Sequence, residues 1–501
     1  MKRLSFKIMR KRPVQLTAQS SLVTSAAAPD SGFAFVHNSQ GASAALSELS
    51  RKLSGVLELI DLDTDDDAKD GAVKAQLQRL ETVAGDYTNS SSASSCSGME
   101  EWKGSPSLAQ VVAAAFVCSA TIYKKPPKST AVHDSDDATI QTPSPDSQQV
   151  ATTTHRQPTV DGLVFTEQTY TKPSRDGTEK AMGVWMAKSD TGQDWEGFPA
   201  MVIAVRGTAK LVDAMVNANG RPVTADEFLG PSETDPATRD ATLGIKAHAG
   251  FLNGAKALYT VVKEHLSRAD KEHPGMHVIF TGHSAGGAVS SLLYAKCLLE
   301  ARKSYPSLKL SSITFGSPPC LSIDITPILR HSEALAKNHG HTLAFVNEFD
   351  IVPRVDQAYI RSLIDLYRAS YNLGPLMADA VKQEDKKTPD LPYVLPPLEF
   401  QFEDEADDTK DGGSGQQEHE AGKVWKLPIP QYHILGDIVL LRKDRVVVDA
   451  AVKRVLRAYS FAHDEYEKLL YVGTQTHSRT YYQDRVSLLQ EGRFNDRQSW
   501  E

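Results

Sequence analysis

The sequence predicts an α/β fold with a mainly parallel central sheet flanked by helices. Two observations lead to this prediction. Apolar, β-prone segments alternate with segments of helical periodicity from residue 162 onward, an order typical of parallel sheets that are covered by helices. Around Ser284, a strand, a tight turn and the start of a helix follow one another within residues 279–288. We therefore expect Ser284 to lie where a strand of the sheet ends.

The composition of the 501-residue chain narrows its class. A formal net charge of -8 and 40% hydrophobic residues suit a globular protein and argue against a generally basic nucleic-acid binder. The four cysteines have no spacing typical of a zinc site or a disulfide framework. The longest apolar run, residues 111–120, is about half as long as a helix that crosses a bilayer. We expect no transmembrane segment and no nucleic-acid partner.

The first 158 residues divide into three predicted regions. Residues 1–40 begin with a run rich in Lys and Arg and are predicted to form a basic disordered tail, with an organelle transit peptide or contact with anionic lipid as the alternative. Residues 41–125 have helical patterns at 44–59, 73–83 and 108–123, which predict a helical extension packed on the main domain or an independent helical module. Residues 126–158 have the composition of a disordered linker.

Residues 159–501 are predicted to form the main domain, interrupted at 383–422 by an acidic insertion with the composition of disorder. Its order of elements alternates between strands and helices. We predict strands at 162–170, 181–187, 200–205, 276–280, 308–315 and 343–346, and helices at 250–268, 285–299 and 356–371. Segments 436–442 and 446–448 are predicted to form a strand pair that turns at Lys443 and Asp444.

The stretch Gly282-His283-Ser284-Ala285-Gly286 has the G-x-S-x-G arrangement in the strand, turn and helix context that this motif requires. Glycines flank the serine because a side chain thrust out on a strained turn needs neighbours without a Cβ. The helix that follows points free N–H groups at the place where a tetrahedral oxyanion would form. Ser284 is therefore predicted to be a nucleophile, and His283 a packing residue of the turn.

Five motifs in a fixed order extend this prediction. Arg206-Gly207-Thr208, His248-Ala249-Gly250-Phe251, the Ser284 motif, Thr314-Phe315-Gly316-Ser317-Pro318 and Asp350-Ile351-Val352-Pro353-Arg354 lie within about 150 residues. In this order they resemble the class 3, or fungal-type, lipase family. The resemblance covers residues 159–354 well and the C-terminal third more loosely. It implies an α/β-hydrolase fold and an acyl-transfer site.

The resemblance also implies an oxyanion hole and a lid. Thr208, at the end of a strand, and Ala285, after the serine, are expected to donate hydrogen bonds to the oxyanion. Apolar residues at 211, 212, 215 and 216 have the spacing of a short helix that covers the acyl cleft or touches lipid, with an ordinary surface helix as the alternative.

A serine nucleophile needs a base and an acid that orients it, which follow in the chain order Ser, Asp, His in α/β hydrolases. Asp350 lies directly after the strand at 343–346 and is predicted to be the aspartate, ahead of Asp356 and Asp365, which a following helix carries away. The histidine is the harder assignment. His477 precedes an amphipathic helix with Tyr481 and Tyr482 and is predicted to be the base, with His463 as the runner-up.

Two other histidines follow the aspartate. His419 lies inside the acidic insertion, and His433 resembles a family position that is structural. Neither His477 nor His463 has the company of metal ligands. We expect no metal and no organic cofactor.

The sequence thus predicts a serine lipase that hydrolyses ester bonds of acylglycerols, or of phospholipids, through an acyl-enzyme. The alternatives are a catalytically silent lipase-like scaffold and an esterase for short soluble esters. The partners expected are a lipid ester substrate and a membrane or lipid surface touched peripherally. The unpatterned cysteines and the absence of a signal-peptide pattern favour an intracellular, cytoplasmic location, with organelle targeting by the basic N-terminus as the alternative.

Overall fold

The computed structural model describes most of the predicted main domain and part of the region before it. The described residues are 71–91, 99–123, 158–172, 180–190, 192, 195–207, 221–230, 242–372, 423–448, 451–497 and 499–500, and for 71–77, 357, 445–448 and 451–454 only the backbone is described.

Several predictions lie outside these residues. They are the basic tail, the helix at 44–59, the linker up to residue 157, the lid residues at 211–216, Thr208, and the insertion 383–422 with His419.

The strands form one large sheet and one small one. Their bounds are β1 (Glu100–Glu101), β2 (Leu163–Thr171), β3 (Met182–Ser189), β4 (Ala200–Val205), β5 (Pro222–Thr224), β6 (Lys246–His248), β7 (His277–His283), β8 (Lys309–Phe315), β9 (His339–Asn347), β10 (Asp437–Val448) and β11 (Ala451–Phe461). Nine of them make a sheet in the order β1-β11-β10-β9-β8-β7-β4-β3-β2, and β5 pairs with β6.

The centre of the large sheet is parallel, as predicted. Strands β4, β7, β8, β9 and β10 run in one direction, whereas β2 and β3 on one side and β11 and β1 on the other are antiparallel to their neighbours. The carboxyl ends of the parallel strands therefore meet along one edge, which is where open α/β sheets place their sites.

Helices cover both faces of the sheet. Their bounds are α1 (Gly71–Ala84), α2 (Pro106–Thr121), α3 (Asp226–Leu229), α4 (Ala249–Glu272), α5 (Ala285–Ser304), α6 (Thr326–His331), α7 (Gln357–Ala369), α8 (His463–Tyr466) and α9 (Arg479–Gln490), with 3₁₀ turns at Thr88–Ser90, Val352–Arg354 and Gln475–His477. Among the described residues, no helix combines the length and the apolarity that crossing a membrane would require.

Alternation along β4 shows how the two faces are filled. Met201, Ile203 and Val205 belong to a core shared with α4, α5 and α7, and the residues between them, Val202 and Ala204, belong to a second core shared with α2 and α9. Because both faces are buried, β4 is a continuous apolar run rather than an alternating one.

Part of the N-terminal region belongs to this second core. Helix α2 starts at a Ser105 cap, whose Oγ accepts a 3.1 Å hydrogen bond from the Leu108 N–H. Ala114 and Phe116 of α2 are at most 1% exposed, and the Phe116 ring meets that of Phe315 edge-on at 5.0 Å. Gln490 of α9 donates a 3.2 Å hydrogen bond to Gln110. The beginning and the end of the described chain thus pack together on one face of the sheet.

One predicted turn is wrong. Lys443 and Asp444 do not separate two strands but lie within β10, which continues to Val448 and pairs with β11 along its whole length. The charged pair is tolerated there because Asp444 lies 2.5 Å from the Arg442 guanidinium and 3.9 Å from that of Arg457 on β11. Arginines of β10 itself and of β11 therefore neutralise a charge that in the sequence alone is typical of a turn.

Candidate active site

Ser284 lies on a strained turn between β7 and α5. Its φ of 58° and ψ of -137° fall in a region that residues with a side chain rarely adopt. The turn is closed by the Ser284 N–H, which donates a 3.0 Å hydrogen bond to the Phe315 carbonyl of the next strand. The flanking glycines are required by space: a Cβ at Gly282 would lie 2.3 Å from the carbonyl carbon of Gly286, and one at Gly286 would lie 2.1 Å from the Val205 carbonyl oxygen.

The ends of the next two strands place Gly316 and Asp350 beside the turn at Ser284. Strands β7, β8 and β9 are adjacent and parallel, so that Ser284, Gly316 and Asp350 follow neighbouring ends. Gly316 has a φ of +56°, and a Cβ there would lie 3.0 Å from Asp350 Oδ2 and 3.0 Å from His477 Nδ1. A glycine is needed at this position because the carboxylate and the imidazole occupy the space.

Asp350 and His477 form a buried pair. Nδ1 of His477 lies 3.1 Å from Oδ1 and 2.9 Å from Oδ2 of Asp350, and the two side chains are 2% and 0% exposed. The Val352 N–H donates a 2.9 Å hydrogen bond to Oδ1, and the Tyr482 hydroxyl donates a 2.7 Å bond to Oδ2. These donors satisfy the carboxylate, which burial alone would disfavour.

The second ring nitrogen of His477, Nε2, is not hydrogen-bonded to any described residue. The atom is also buried. When Nδ1–H donates its hydrogen bond to Asp350, Nε2 carries a lone pair and is available as a proton acceptor.

His283 helps to hold His477 in this orientation. Its Nε2–H donates a 2.8 Å hydrogen bond to the His477 carbonyl, and the two rings lie 4.6 Å apart between centroids. Burial, with His477 and Arg479 nearby, lowers the pKa of His283 well below its usual value, so this ring stays neutral. The preceding residue is also anchored, since Asn347 Nδ2 donates a 2.7 Å bond to the Thr476 carbonyl.

The other histidines that follow Asp350 in the described chain, His433 and His463, lie away from it. His463 Nε2 is 2.9 Å from the Gly436 carbonyl and 3.8 Å from Asp324. His433 Nδ1 lies 2.6 Å from Glu467, and this hydrogen bond raises its pKa. The structure brings neither of them to Asp350.

The rival aspartates are not at the strand end either. Asp356 caps α7, where its Oδ1 accepts a 2.8 Å hydrogen bond from the Tyr359 N–H, and Asp365 lies buried within α7. Asp350 alone of the three is paired with a histidine in the described structure.

Of the two predicted oxyanion donors, Ala285 is among the described residues and Thr208 is not. Ala285 is the first residue of α5, where helix geometry leaves the backbone N–H without an intrahelical partner. Thr208 is outside the described residues, but its neighbour Gly207 is described, and the Gly207 N–H donates a 2.9 Å hydrogen bond to the Tyr123 hydroxyl.

Two tyrosines at the site were not predicted. The sequence did indicate Tyr482, because a tyrosine shortly after the histidine was one reason to choose His477. It did not predict that Tyr482 contacts Asp350. For Tyr123 the sequence gave no indication, because it lies just after the end of α2, 84 positions before Gly207.

Comparisons with known proteins found a family model and several relatives that match part of the chain. Residues 202–359 match the family model described as Lipase (class 3). A rice protein, Phospholipase A1-II 1 of Oryza sativa subsp. indica, is 28% identical over 160 residues, which are 31% of this chain and 40% of that protein. The Secreted mono- and diacylglycerol lipase 2 of Gibberella zeae is 28% identical over 133 residues, 26% of this chain and 32% of its own. The chain thus matches less than half the length of these curated relatives.

Solved structures were also found to be similar. The native Rhizomucor miehei lipase propeptide complex is 22% identical with a TM-score of 0.28, covering 39% of this chain and 53% of its own. A triacylglycerol lipase described as having a serine protease triad as its catalytic centre is 18% identical with a TM-score of 0.34, covering 52% of this chain and 79% of its own. The segment that matches the class 3 lipase model, residues 202–359, lies in a mainly parallel sheet flanked by helices, which is the architecture that the sequence predicted.

Proposed function

We propose that the protein is a serine hydrolase of carboxylic esters, with Ser284 as nucleophile, His477 as general base and Asp350 as the residue that orients the base. The observation that carries the proposal is the His477 ring. Its Nδ1 is held by Asp350, while Nε2, the atom that must accept the serine proton, is buried without a partner. A buried imidazole with one nitrogen fixed by a carboxylate and the other free is what proton transfer from a serine requires.

The reaction would proceed in two steps, acylation of Ser284 and hydrolysis of the acyl-serine. Ser284 Oγ attacks the carbonyl carbon of the ester as its proton moves to His477 Nε2, and the imidazolium is stabilised by Asp350. The tetrahedral intermediate expels the alcohol, which takes the proton from Nε2 and leaves an acyl-serine. Water then attacks the acyl-serine, again giving its proton to Nε2, and the collapse of the second intermediate returns that proton to Ser284 and releases the acid.

Charge on the carbonyl oxygen needs its own stabilisation. We propose that the Ala285 N–H and Thr208 are the donors, because Ala285 begins α5 with an unpaired N–H and a positive helix end. The Gly207 N–H is already bonded to Tyr123, which leaves Thr208 as the donor on that segment.

For the substrate, we propose a long-chain ester of an acylglycerol or a phospholipid. The support is the class 3 lipase match together with relatives that are called a phospholipase A1 and a mono- and diacylglycerol lipase. Ser284 is only 1% exposed, so that an ester reaches it only after its cover moves. A site that opens at a lipid surface would have this property.

The nucleophile is tested with a fluorophosphonate probe that carries a fluorescent reporter. Wild-type protein, shown to be folded by its cooperative melting, should be labelled, and Ser284→Ala should not. Ser290→Ala is the matched control, because Ser290 is also a buried serine of α5 but bonds only the Gly287 carbonyl, at 2.9 Å. If folded wild-type protein takes no label on Ser284, the enzyme proposal fails and the silent scaffold is favoured.

The substrate class is tested by hydrolysis of tributyrin, dioleoylglycerol and phosphatidylcholine. Activity on tributyrin should rise steeply when the substrate exceeds its solubility, because a lipid surface opens the buried site. Equal activity on dissolved and emulsified tributyrin would instead favour an esterase for short soluble esters.

A further inference from the structure

The hydroxyl of Tyr123 joins two segments of the candidate site. It accepts a 2.9 Å hydrogen bond from the Gly207 N–H, and it donates a 3.3 Å bond to the carbonyl of His283. Gly207 directly precedes Thr208, and His283 directly precedes Ser284. A single hydroxyl therefore lies between the segment expected to supply an oxyanion donor and the peptide that leads into the nucleophile.

The backbones of these two segments lie so close together that neither Gly207 nor Gly286 could carry a Cβ. A Cβ on Gly207 would lie 2.3 Å from the Tyr123 hydroxyl and 2.9 Å from the His283 carbonyl oxygen. A Cβ on Gly286 would lie 2.8 Å from the Gly207 nitrogen. The end of β4 and the turn at Ser284 are thus in close backbone contact, and the Tyr123 hydroxyl is hydrogen-bonded to both.

The ring of Tyr123 also contacts the segment that carries the histidine. The guanidinium carbon of Arg479, two residues after His477, lies 3.9 Å from the ring centroid, a distance typical of a cation–π interaction. The His283 ring meets Tyr123 edge-on at 6.3 Å. Tyr123 thus touches the strand end before Thr208, the turn at Ser284 and the segment after His477.

We propose that Tyr123 is a positioning residue, whose hydroxyl fixes the oxyanion segment at the end of β4 against the Ser284 turn. It acts through Gly207 and His283 rather than on the substrate. The inference rests on the proposed function for its catalytic consequence. Its physical basis is that donors for an oxyanion are effective only when they are held in place before the charge develops, and displacements near 1 Å cost about 10²-fold in rate.

The bridge also restricts which groups can bind the oxyanion. Because the Gly207 N–H is bonded to Tyr123, it is withheld from the reacting carbonyl, and the segment is left with Thr208 as its donor. Loss of the hydroxyl would release the Gly207 N–H and remove one contact that holds this strand end, which would keep the bond from the Arg206 N–H to the Ala181 carbonyl. We therefore expect a defect in the chemical step rather than in substrate binding.

The test is Tyr123→Phe, which removes the hydroxyl and keeps the ring over Arg479. The turnover number and the rate of fluorophosphonate labelling should both fall about tenfold, the effect of one lost hydrogen bond, with KM changed less than about twofold. The matched control is Tyr294→Phe, since Tyr294 is fully buried and its hydroxyl bonds Thr342 at 2.7 Å, near the opposite edge of the sheet. The control should lose stability and keep its turnover number. Equal turnover numbers in wild type and Tyr123→Phe would overturn the proposal.

Hydrogen exchange gives a second readout that does not need activity. In Tyr123→Phe, peptides containing Gly207 should exchange faster than in wild type, whereas those of α4 should be unchanged. Equal acceleration in both regions would mean that Tyr123 acts only through global stability, which overturns a positioning role. If the wild type proves inactive, the proposed function fails, but the exchange of the Gly207 peptide still decides whether Tyr123 holds this segment.

Discussion

Tyr482 and His477 bind the same carboxylate oxygen: the tyrosine hydroxyl lies 2.7 Å and the imidazole Nδ1 2.9 Å from Oδ2 of Asp350. The hydroxyl also accepts a 3.0 Å hydrogen bond from the Asn347 N–H at the end of β9. Burial and the Asp350 carboxylate raise the pKa of Tyr482 well above its usual value, so the hydroxyl remains protonated and continues to donate.

We expect Tyr482→Phe to reduce both stability and activity. The variant leaves the buried Asn347 N–H without its partner, which costs about 1–3 kcal/mol of unfolding free energy. Asp350 keeps its bonds to Val352 and His477, so that the turnover number should fall about tenfold rather than disappear. Urea unfolding and ester hydrolysis measure the two effects. An unchanged turnover number would show that the hydroxyl does not help to orient the pair.

The two histidines that the sequence left in competition can be separated by mutation. His477→Ala should lower the rate of fluorophosphonate labelling by about 10³-fold or more, because no other described group pairs with Asp350 to accept the proton. His463→Ala should stay within a few-fold of wild type, since its ring bonds the Gly436 carbonyl. Loss of labelling in His463→Ala alone would show that the base is assigned incorrectly.

Gly286 can be tested against Gly254, where a new Cβ would meet a side chain that can shift slightly rather than the backbone. Gly286→Ala should inactivate the protein and destabilise it, because the new Cβ would lie 2.1 Å from the Val205 carbonyl oxygen, a backbone atom that cannot move alone. In Gly254→Ala the nearest atom is a methyl group of Val289 at 3.2 Å, and alanine favours the helix by about 1 kcal/mol. Melting and labelling of both variants check the prediction, which fails if the two behave alike.

Because His277 is buried, the free energy of unfolding should fall as the pH is lowered from about 6.5 to about 4. Its Nδ1–H donates to the Gly197 carbonyl at 3.0 Å, and its Nε2 lies 2.7 Å from the Ser311 hydroxyl. Burial, with smaller effects of His341 and Lys309, lowers its pKa from 6.5 to about 4. The folded state therefore favours the neutral ring, and the unfolded state takes up the proton first as the pH falls.

The size of this loss of unfolding free energy follows from the lowered pKa of His277. Between pH 7.5 and pH 5, wild-type protein should lose about 2 kcal/mol more unfolding free energy than His277→Gln. Urea unfolding at the two pH values measures the difference. Parallel losses in the two proteins would show that His277 does not couple folding to pH.

The sequence predicted the parts of the site that are fixed locally. The turn at Ser284 follows from glycines and a strand that adjoins a helix, and Asp350 follows from its place after a strand. The pairing of Asp350 with His477 rather than His463 is decided by distant contacts, namely the bonds of His477 and Thr476 to His283 and Asn347. No spacing in the sequence contains that information, so two histidines remained open.

Other features were beyond sequence reasoning for a different reason. Helix α2 is apolar on all sides and buried, so its periodicity does not indicate which face meets the sheet or that Tyr123 reaches Gly207. The length of β10 was missed because its charges are neutralised by residues far away in the sequence: Lys443 pairs with Asp484 of α9, and Asp444 lies 3.9 Å from Arg457 of β11.

The packing of α2 on α9 constrains how this protein is made. The ribosome delivers Thr121 several hundred residues before Gln490, which at roughly 5–20 residues per second is on the order of half a minute. During synthesis the apolar surface of α2 exists without the helix that covers it, and the serine turn exists without its histidine. The apolar surface of α2 is therefore open to aggregation until α9 has been translated, and the proposed site can be assembled only after that point.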